Sequence, residues 1–551
     1  MYELDNGPKR MNTLSKNQLI GIGVLVVLVI SGWLLMRRGQ PLSQQLQQAV
    51  QKSGTFSTAT RGLLEAKPAS TVELKDGDTY DLEASIVQKS INGQRVKMLA
   101  YNGSIPGPLI KVKQGSEVTI NFTNNTDVET TIHSHGVRVA NEFDGTPDLT
   151  QEPVPVGGTF TYKLKFPDAG MFWYHPHVRE DYAQESGLYG NFLVIPTDTE
   201  YWSPVNREEA LMVDDILLEN GKLATFSTTT ADRTLMGRFG NVMLINGETG
   251  YNLAAKQGEV VRFYLTNVAS TRTFNVSIPT AKMKLVGADG GKYEQETFVD
   301  SVIISPSERA IIEVLFDSAG TYALQHTTPE KTYTLGTVSV SSDKAAPSYL
   351  SQFNMLHTNQ DIIASIDPFR SAFAKAADKK LTLTIDMMGM GNMSGMGNGG
   401  HMMPDGSMMG GMMMGGDNDP IEWEDDMAMM NAMSTTQNLT WKMLDQASKQ
   451  ANMDIGWKFK VGDKVRVSIF NDPRSAHPMQ HPIHFHGQRF LVLSTNGVKN
   501  DNLAWKDTVL VKNGDTVEIL VDMSNPGDWM AHCHISEHLE DGMMFTYTIE
   551  S

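Results

Sequence analysis

The chain of 551 residues contains one cysteine, Cys533. No disulfide can form within it, so disulfide usage gives no reading of compartment. Cys533 must act as a thiol, a thiolate or a metal ligand. A basic excess is lacking too: 46 Lys plus Arg stand against 63 Asp plus Glu, a formal net charge of -17. Binding to phosphate backbones needs a basic surface, so a nucleic-acid partner is excluded. An acidic balance is compatible with cationic or metal substrates, and serves solubility as readily. What the chain has in plenty is methionine, 33 in all.

The length suits two to four domains rather than a single core. At the N-terminus, residues 1–18 form a short leader before an apolar run, 19–36, bracketed by Lys16 and by Arg37 and Arg38. The run is near the lower limit for a bilayer-spanning helix. It is long for a cleaved signal, and arginines follow where small residues belong. The expectation is therefore a transmembrane anchor with the remainder extracytoplasmic, at a cell surface or in a periplasm. A secreted or periplasmic chain released by cleavage is the alternative. The arginine pair follows the apolar run, whereas a twin-arginine export signal precedes one. Residues 37–69, rich in Gln, Ser, Thr and Ala, read as a stalk or linker.

One phrase recurs three times: GSEVTINFTN at 115–124, GEVVRFYLTN at 258–267 and GDKVRVSIFN at 462–471. Each opens on glycine, alternates as a strand does, and closes on asparagine. A second phrase follows each copy: GMFWYHPH at 170–177, GTYALQHT at 320–327 and GDWMAHCH at 527–534. Short alternating strands and turn residues dominate between them, which predicts an all-β chain of sandwich or barrel domains. Three related domains are expected, at 70–198, 205–345 and 378–551. In the middle copy the two histidine positions hold Gln325 and Thr327, so that domain reads as scaffold. A Gly- and Met-rich insertion at 387–433 carries about half of all methionines and cannot form a conventional core.

Ten of the 14 histidines fall into four clusters: His133 and His135; His175 and His177; His481, His484 and His486; and His532 and His534 with His538. Alternate residues of a strand share a face, so each H-x-H offers two imidazoles side by side. Cys533, between His532 and His534, points the other way. A sulfur ligand for one metal thus stands back to back with nitrogen ligands for others, a short covalent path suited to electron transfer. One thiolate, imidazoles and Met543 describe a blue-copper site. Zinc sites take few ligands and are redox-silent, and do not account for ten histidines around one cysteine.

These segments, His133 to Gly136, His175 to His177, HPIHFHG at 481–487 and HCHISEHLEDGM at 532–543, resemble the four signature motifs of the multicopper oxidases. That family includes laccases and bacterial cuprous oxidases, and the resemblance covers essentially everything after the stalk. It implies three consecutive cupredoxin-like Greek-key domains and four copper ions. The type 1 copper would take His481, Cys533, His538 and axial Met543. The type 2 copper would take His133 and His484. The type 3 pair would take His135, His175, His177, His486, His532 and His534. The implied reaction couples one-electron oxidations of a reductant to the reduction of O2 to water.

Oxygen reduction consumes protons, so a carboxylate is needed near the cluster. Asp144 resembles the family's acid. Many relatives carry another directly after the last type 1 histidine, where this chain has Leu539; Glu540 and Asp541 come next, and Glu540 is the remaining candidate. For the reductant, the soft thioethers of the insertion favour Cu(I) and a role in copper tolerance. Asp386, Met387, Met388 and Met479 are candidate ligands for substrate Cu(I); His477, two residues before Met479, belongs with them or is a surface residue. His326 and His357 read as unremarkable. The alternatives are a laccase acting on phenols or aromatic amines and a copper-sequestering surface protein without turnover. A two-domain nitrite reductase leaves eight histidines unexplained. No protein partner follows from the sequence.

Overall fold

The computed structural model describes residues 54–387, the short strands His401–Met402 and Met408–Met409, and residues 419–551. The apolar run 19–36 and most of the methionine-rich insertion, Met388 included, lie outside the described residues. Among the described residues no helix is long and apolar enough to cross a membrane.

Strands dominate, as the alternation predicts. Glu117–Asn125 buries every second residue, Val118, Ile120, Phe122 and Asn124, because one face lies on a core and the other on solvent. Three pairs of sheets follow one another along the chain. The first pairs a five-stranded sheet (Thr71–Leu74, Leu109–Lys113, Gly190–Ile195, Gly170–His175, His133–His135) with a four-stranded one centred on Thr79–Ile91 and Glu117–Asn125. The second and third are each a six-stranded and a five-stranded sheet. Separate apolar cores form around Phe122, Trp173 and Phe192, around Phe263, Phe274 and Phe316, and around Trp441, Phe485 and Trp529.

The structure gives the closing asparagine of the repeated phrase a physical role. Asn124, Asn267 and Asn471 are buried. Each amide donates to two backbone carbonyls: Asn124 to Val128 and Val154, Asn267 to Arg272 and Ile304, Asn471 to Met479 and Val511. Buried carbonyls need donors, and one amide with two N–H groups satisfies two strands at once. In the third pair this pins the chain just before His481.

Strand pairing then assembles the histidine motifs. His133–His135 lies antiparallel to Gly170–His175, with His133 opposite His175. His481–Phe485 lies antiparallel to Gly527–Cys533, with His484 opposite His532 and Ile483 opposite Cys533. Directly opposed residues have Cβ atoms about 5 Å apart, so register alone brings distant motifs together. Gly487, after the last histidine of its motif, has φ 66° and lies against the Trp529 ring, where a Cβ would stand 2.3 Å from ring carbons. Only glycine fits that turn.

Residues 56–69, which composition assigns to the linker 37–69, run along the first pair of sheets. Ala66 donates to the Gln88 carbonyl, Gln88 to the Leu64 carbonyl and Lys67 to the Gly103 carbonyl. Phe56 stacks on Tyr182 at 3.8 Å. A few anchoring groups thus hold a polar stretch on the surface, which a compositional average does not reveal.

Candidate metal centre

The strand Gly527–Cys533 separates two ligand sets by its alternation. The Cys533 sulfur lies 3.5 Å from His481 Nδ1 and 3.8 Å from His538 Nδ1. On the opposite face His532 Nε2 meets His486 Nε2 at 3.0 Å. His538 stands on the short helix Ser536–Glu540 and Met543 just beyond it. Cys533 donates its N–H to the Met543 carbonyl and Met543 donates to that of His538, which closes the loop around the sulfur. All four side chains are fully buried. Burial pushes the Cys533 thiol far up and His481 down to about 3. A thiolate in such a place requires a cation, and sulfur with two neutral imidazoles and a thioether suits copper.

Trp441 covers this set. Its ring stacks on His538 at 4.3 Å and meets His481 edge-on at 4.7 Å, while its N–H donates to the Thr234 carbonyl. His477 is buried too, 6.3 Å from Trp441, and burial lowers it to about 4. It is not a surface residue.

Eight further imidazoles converge: His133, His135, His175, His177, His484, His486, His532 and His534, all buried, with neighbouring ring centroids as close as 3.8 Å. Several carry a hydrogen bond that fixes the tautomer, since a carbonyl can only accept. His133 Nδ1 donates to the Asp144 carbonyl, His175 Nδ1 to that of Pro176, His484 Nδ1 to that of Asp507 and His532 Nδ1 to that of Cys533. His135 differs, because its Nε2 faces the Asp507 carboxylate at 3.0 Å. The remaining nitrogens, Nε2 of His133, His175, His177 and His484, Nδ1 of His135 and both of His534, have no hydrogen-bond partner. Buried polar atoms are rarely left so. Burial first, and then neighbouring imidazoles, keep His135, His175, His484 and His486 well below the usual histidine range. Neutral rings with unshared lone pairs aimed at common space are metal ligands in waiting, and the donor set fits copper.

Three carboxylates border the imidazoles. Asp144, fully buried, accepts from His486 Nδ1 at 2.8 Å and from the Thr146 hydroxyl at 2.6 Å. Asp507 lies opposite, against His135. The third, Glu180, went unnoticed in the sequence. It is fully buried on the short helix Glu180–Ala183, 3.5 Å from His177 Nδ1 and 4.0 Å from His175 Nδ1. Neither of its oxygens has a hydrogen-bond partner. Burial, then the charges of Glu540 and Asp181, holds its carboxyl well above the usual range. Glu540 itself, 21% exposed, accepts from the Glu180 backbone N–H at 3.0 Å and lies 4.0 Å from Arg179. The signal available was the acid three residues after the H-P-H motif.

The remaining candidates are dispersed. Asp386 is exposed and paired with Lys442. Met387 packs against the third core, whose interior holds Met479, Cys533 and Met543. His326 is buried, accepts from the Asn275 N–H and stacks on Tyr333; His357 contacts Glu296.

Comparison with known proteins agrees with this geometry. Family models described as multicopper oxidase match residues 84–199, 193–345 and 424–551. The chain is 26% identical over 483 residues to "Multicopper oxidase mco" of Staphylococcus aureus, covering 85% of this chain and 89% of that one. It is 23% identical to "Copper resistance protein A" of Escherichia coli, covering 90% and 96%. Among solved structures it is similar to the multicopper oxidase of Campylobacter jejuni, described as a metallo-oxidase. The TM-score is 0.63 at 22% identity, covering 90% of this chain and 99% of that one.

Proposed function

The chain belongs to the multicopper oxidase family, copper-dependent oxidoreductases, and on that premise we propose that its reductant is Cu(I), oxidised with O2 in the service of copper tolerance. We read the three pairs of sheets as cupredoxin-like domains near 70–198, 205–345 and 378–551. Four copper ions are assigned. His481, Cys533, His538 and Met543 would hold the type 1 ion, and His133 and His484 the type 2 ion. His135, His175, His177, His486, His532 and His534 would hold the type 3 pair. Bound there, copper supplies one-electron acceptance at the sulfur site and four-electron reduction of O2 to water at the imidazole cluster.

The residues have distinct tasks. Cys533 and its two histidine neighbours join both ligand sets through a few covalent bonds. Asp144 orients His486 and holds a carboxylate where protons are consumed. Glu180 places a carboxyl without hydrogen-bond partners beside His175 and His177, where it can serve as the proton donor. Glu540, hydrogen-bonded to the Glu180 backbone and partly exposed, stands on the outer side of that acid. Trp441 keeps solvent and bulky molecules off the imidazole edges of the type 1 set.

One observation carries the cuprous reading. The helix Ala428–Met433 ends the insertion; Met427 and Met430 pack against the core that contains Cys533, while Met429 and Met433 stay 80% and 72% exposed. Thioethers are soft ligands suited to Cu(I), and exposed methionines on a helix packed against the core that holds Cys533 offer it a landing place. Asp386, Met387 and Met388 begin the same insertion in sequence; Met479 is buried in the core against which Met387 packs. Phenols and aromatic amines need an accessible imidazole edge, and His481 and His538 are fully buried.

Exchanging residues 388–418 for a short Gly-Ser linker, together with Met429→Ser and Met433→Ser, tests this. Cuprous kcat/KM should fall more than about tenfold, 1.4 kcal/mol, while phenol turnover holds or rises. Unchanged cuprous turnover would sink the assignment. Absence of oxygen uptake by the parent with either reductant would favour the sequestering reading.

The apolar run 19–36 we read as an uncleaved anchor that leaves the copper domains extracytoplasmic. The protein is expected in the membrane pellet with its N-terminus intact. A mature start near residue 40 would replace the anchor with a cleaved signal.

A further inference from the structure

The middle pair of sheets holds none of the histidines assigned to copper, yet its Arg309 reaches a carboxylate that borders the cluster. Arg309 opens the strand Arg309–Phe316 and is fully buried. Its Nη1 and Nη2 donate to the two carboxylate oxygens of Asp507, its Nε donates to the Met171 carbonyl at 3.0 Å, and its Nη1 also reaches the Ser307 carbonyl at 2.9 Å. One guanidinium therefore binds all three pairs of sheets, through Met171 on the strand that carries His175, Ser307 beside its own strand, and Asp507.

Asp507 in turn holds two imidazoles. Its Oδ1 lies 3.0 Å from His135 Nε2, with the Thr508 hydroxyl beside it, and its main-chain carbonyl accepts from His484 Nδ1 at 2.8 Å. A neutral imidazole has one donor and one acceptor. Donation from Nε2 to Asp507 leaves His135 with a free Nδ1, whereas His133, His175, His177 and His484 leave Nε2 free. His135 is thus turned the opposite way to those four, and Asp507 is what turns it.

Two further observations agree. Gly136, after His135, has φ 77°, and a Cβ there would stand 2.3 Å from Asp507 Oδ2 and 2.9 Å from Arg309 Nη2. The glycine makes room for the carboxylate–guanidinium pair. Around it Asp289 accepts from the Arg309 backbone N–H, and Lys506 bridges Asp289 and Glu308 at 3.1 Å each. A buried carboxylate persists only when paired and hydrogen-bonded, and a bidentate arginine fixes direction as well as charge.

We propose that Asp507, clamped by Arg309, is a positioning residue that sets the tautomer and orientation of His135 and His484, and that this arginine is the middle domain's contribution to the copper cluster. The inference rests on the assignment of those histidines to copper. The test uses the full chain reconstituted with copper, with Asp507→Asn, Arg309→Met, Arg309→Lys and Asp507→Glu compared by metal content, absorption and electron paramagnetic resonance. Asp507→Asn and Arg309→Met are expected to keep the blue thiolate–copper absorption, which reports that the fold and the Cys533 site are intact. They should lose the near-ultraviolet band of the coupled pair, with affinity at the cluster down about 10–100-fold. Asp507→Glu should restore part of that band. Should a variant fail to fold, Arg309→Lys decides, since it keeps the charge but not the fork, and a weakened pair signal is expected. Full copper content with unchanged spectra in Asp507→Asn and Arg309→Met would overturn the inference alone. A parent chain that takes up no copper would overturn the underlying assignment and the inference with it.

Discussion

Replacing Cys533 by serine is expected to reduce oxygen uptake with Cu(I) and with phenols to background, and to remove the blue absorption. The two side chains are nearly isosteric, so the fully enclosed site should keep its shape. Their donor chemistry differs. A thiolate is soft and forms under a cation's influence, whereas a buried hydroxyl stays protonated and binds copper weakly. Copper content should fall by one equivalent per chain. The imidazole cluster should remain loaded, because the contacts that order it do not involve the sulfur: His532 Nδ1 donates to the Cys533 carbonyl, which serine retains. Anaerobic addition of Cu(I) should then leave the cluster oxidised. Cuprous oxidation at the parental rate in Cys533→Ser would show that electrons enter at the imidazoles, and would refute the division of labour between the two ligand sets.

Local pattern made much of this site legible. The strand period puts His532 and His534 on one face and Cys533 on the other, and the observed contacts follow that division. The repeated phrases lie in corresponding strands of the successive sheets, and the substitution of Gln325 and Thr327 marks the middle copy as one without paired imidazoles. What the pattern withheld is what depends on pairing between distant elements. Trp441 caps His538 and His481 from a strand about forty residues before the nearer of them. Asp507 reaches His135 across 372 positions. Arg309 comes from the part that the sequence reads as scaffold, and no local signal distinguishes it from the other arginines of that region. His477, four residues before His481 in sequence, is buried with the Trp441 ring 6.3 Å away.

The departure at Leu539 is the clearest case. In sequence it removes the acid that many relatives carry after the last type 1 histidine, and Glu540 is the nearest substitute along the chain. In space a carboxyl with no hydrogen-bond partner, that of Glu180 in the first pair of sheets, lies beside His177, and Glu540 hydrogen-bonds to that residue's backbone. We propose that a requirement the sequence places after His538 is met by Glu180.

Glu180→Gln therefore carries the second large expectation. The amide matches the carboxylic acid in size and can still donate a hydrogen bond, but it cannot give up a proton at the pH of the reaction. The fold, the copper content and the blue absorption should be unchanged. Anaerobic reduction of the type 1 ion by Cu(I) should proceed at the parental rate, since that step consumes no proton. Turnover with O2 should fall by about 10²–10³, within the range for a displaced general acid, so the enzyme should stay reduced at steady state where the parent is oxidised. Glu540→Gln, which leaves Glu180 in place, should cost less than about tenfold on the same grounds. Parental turnover in Glu180→Gln combined with a large loss in Glu540→Gln would return the proton supply to the residue nearest in sequence. Equal large losses in both would instead place the two carboxyls in one path, with Glu540 outside and Glu180 at the imidazoles.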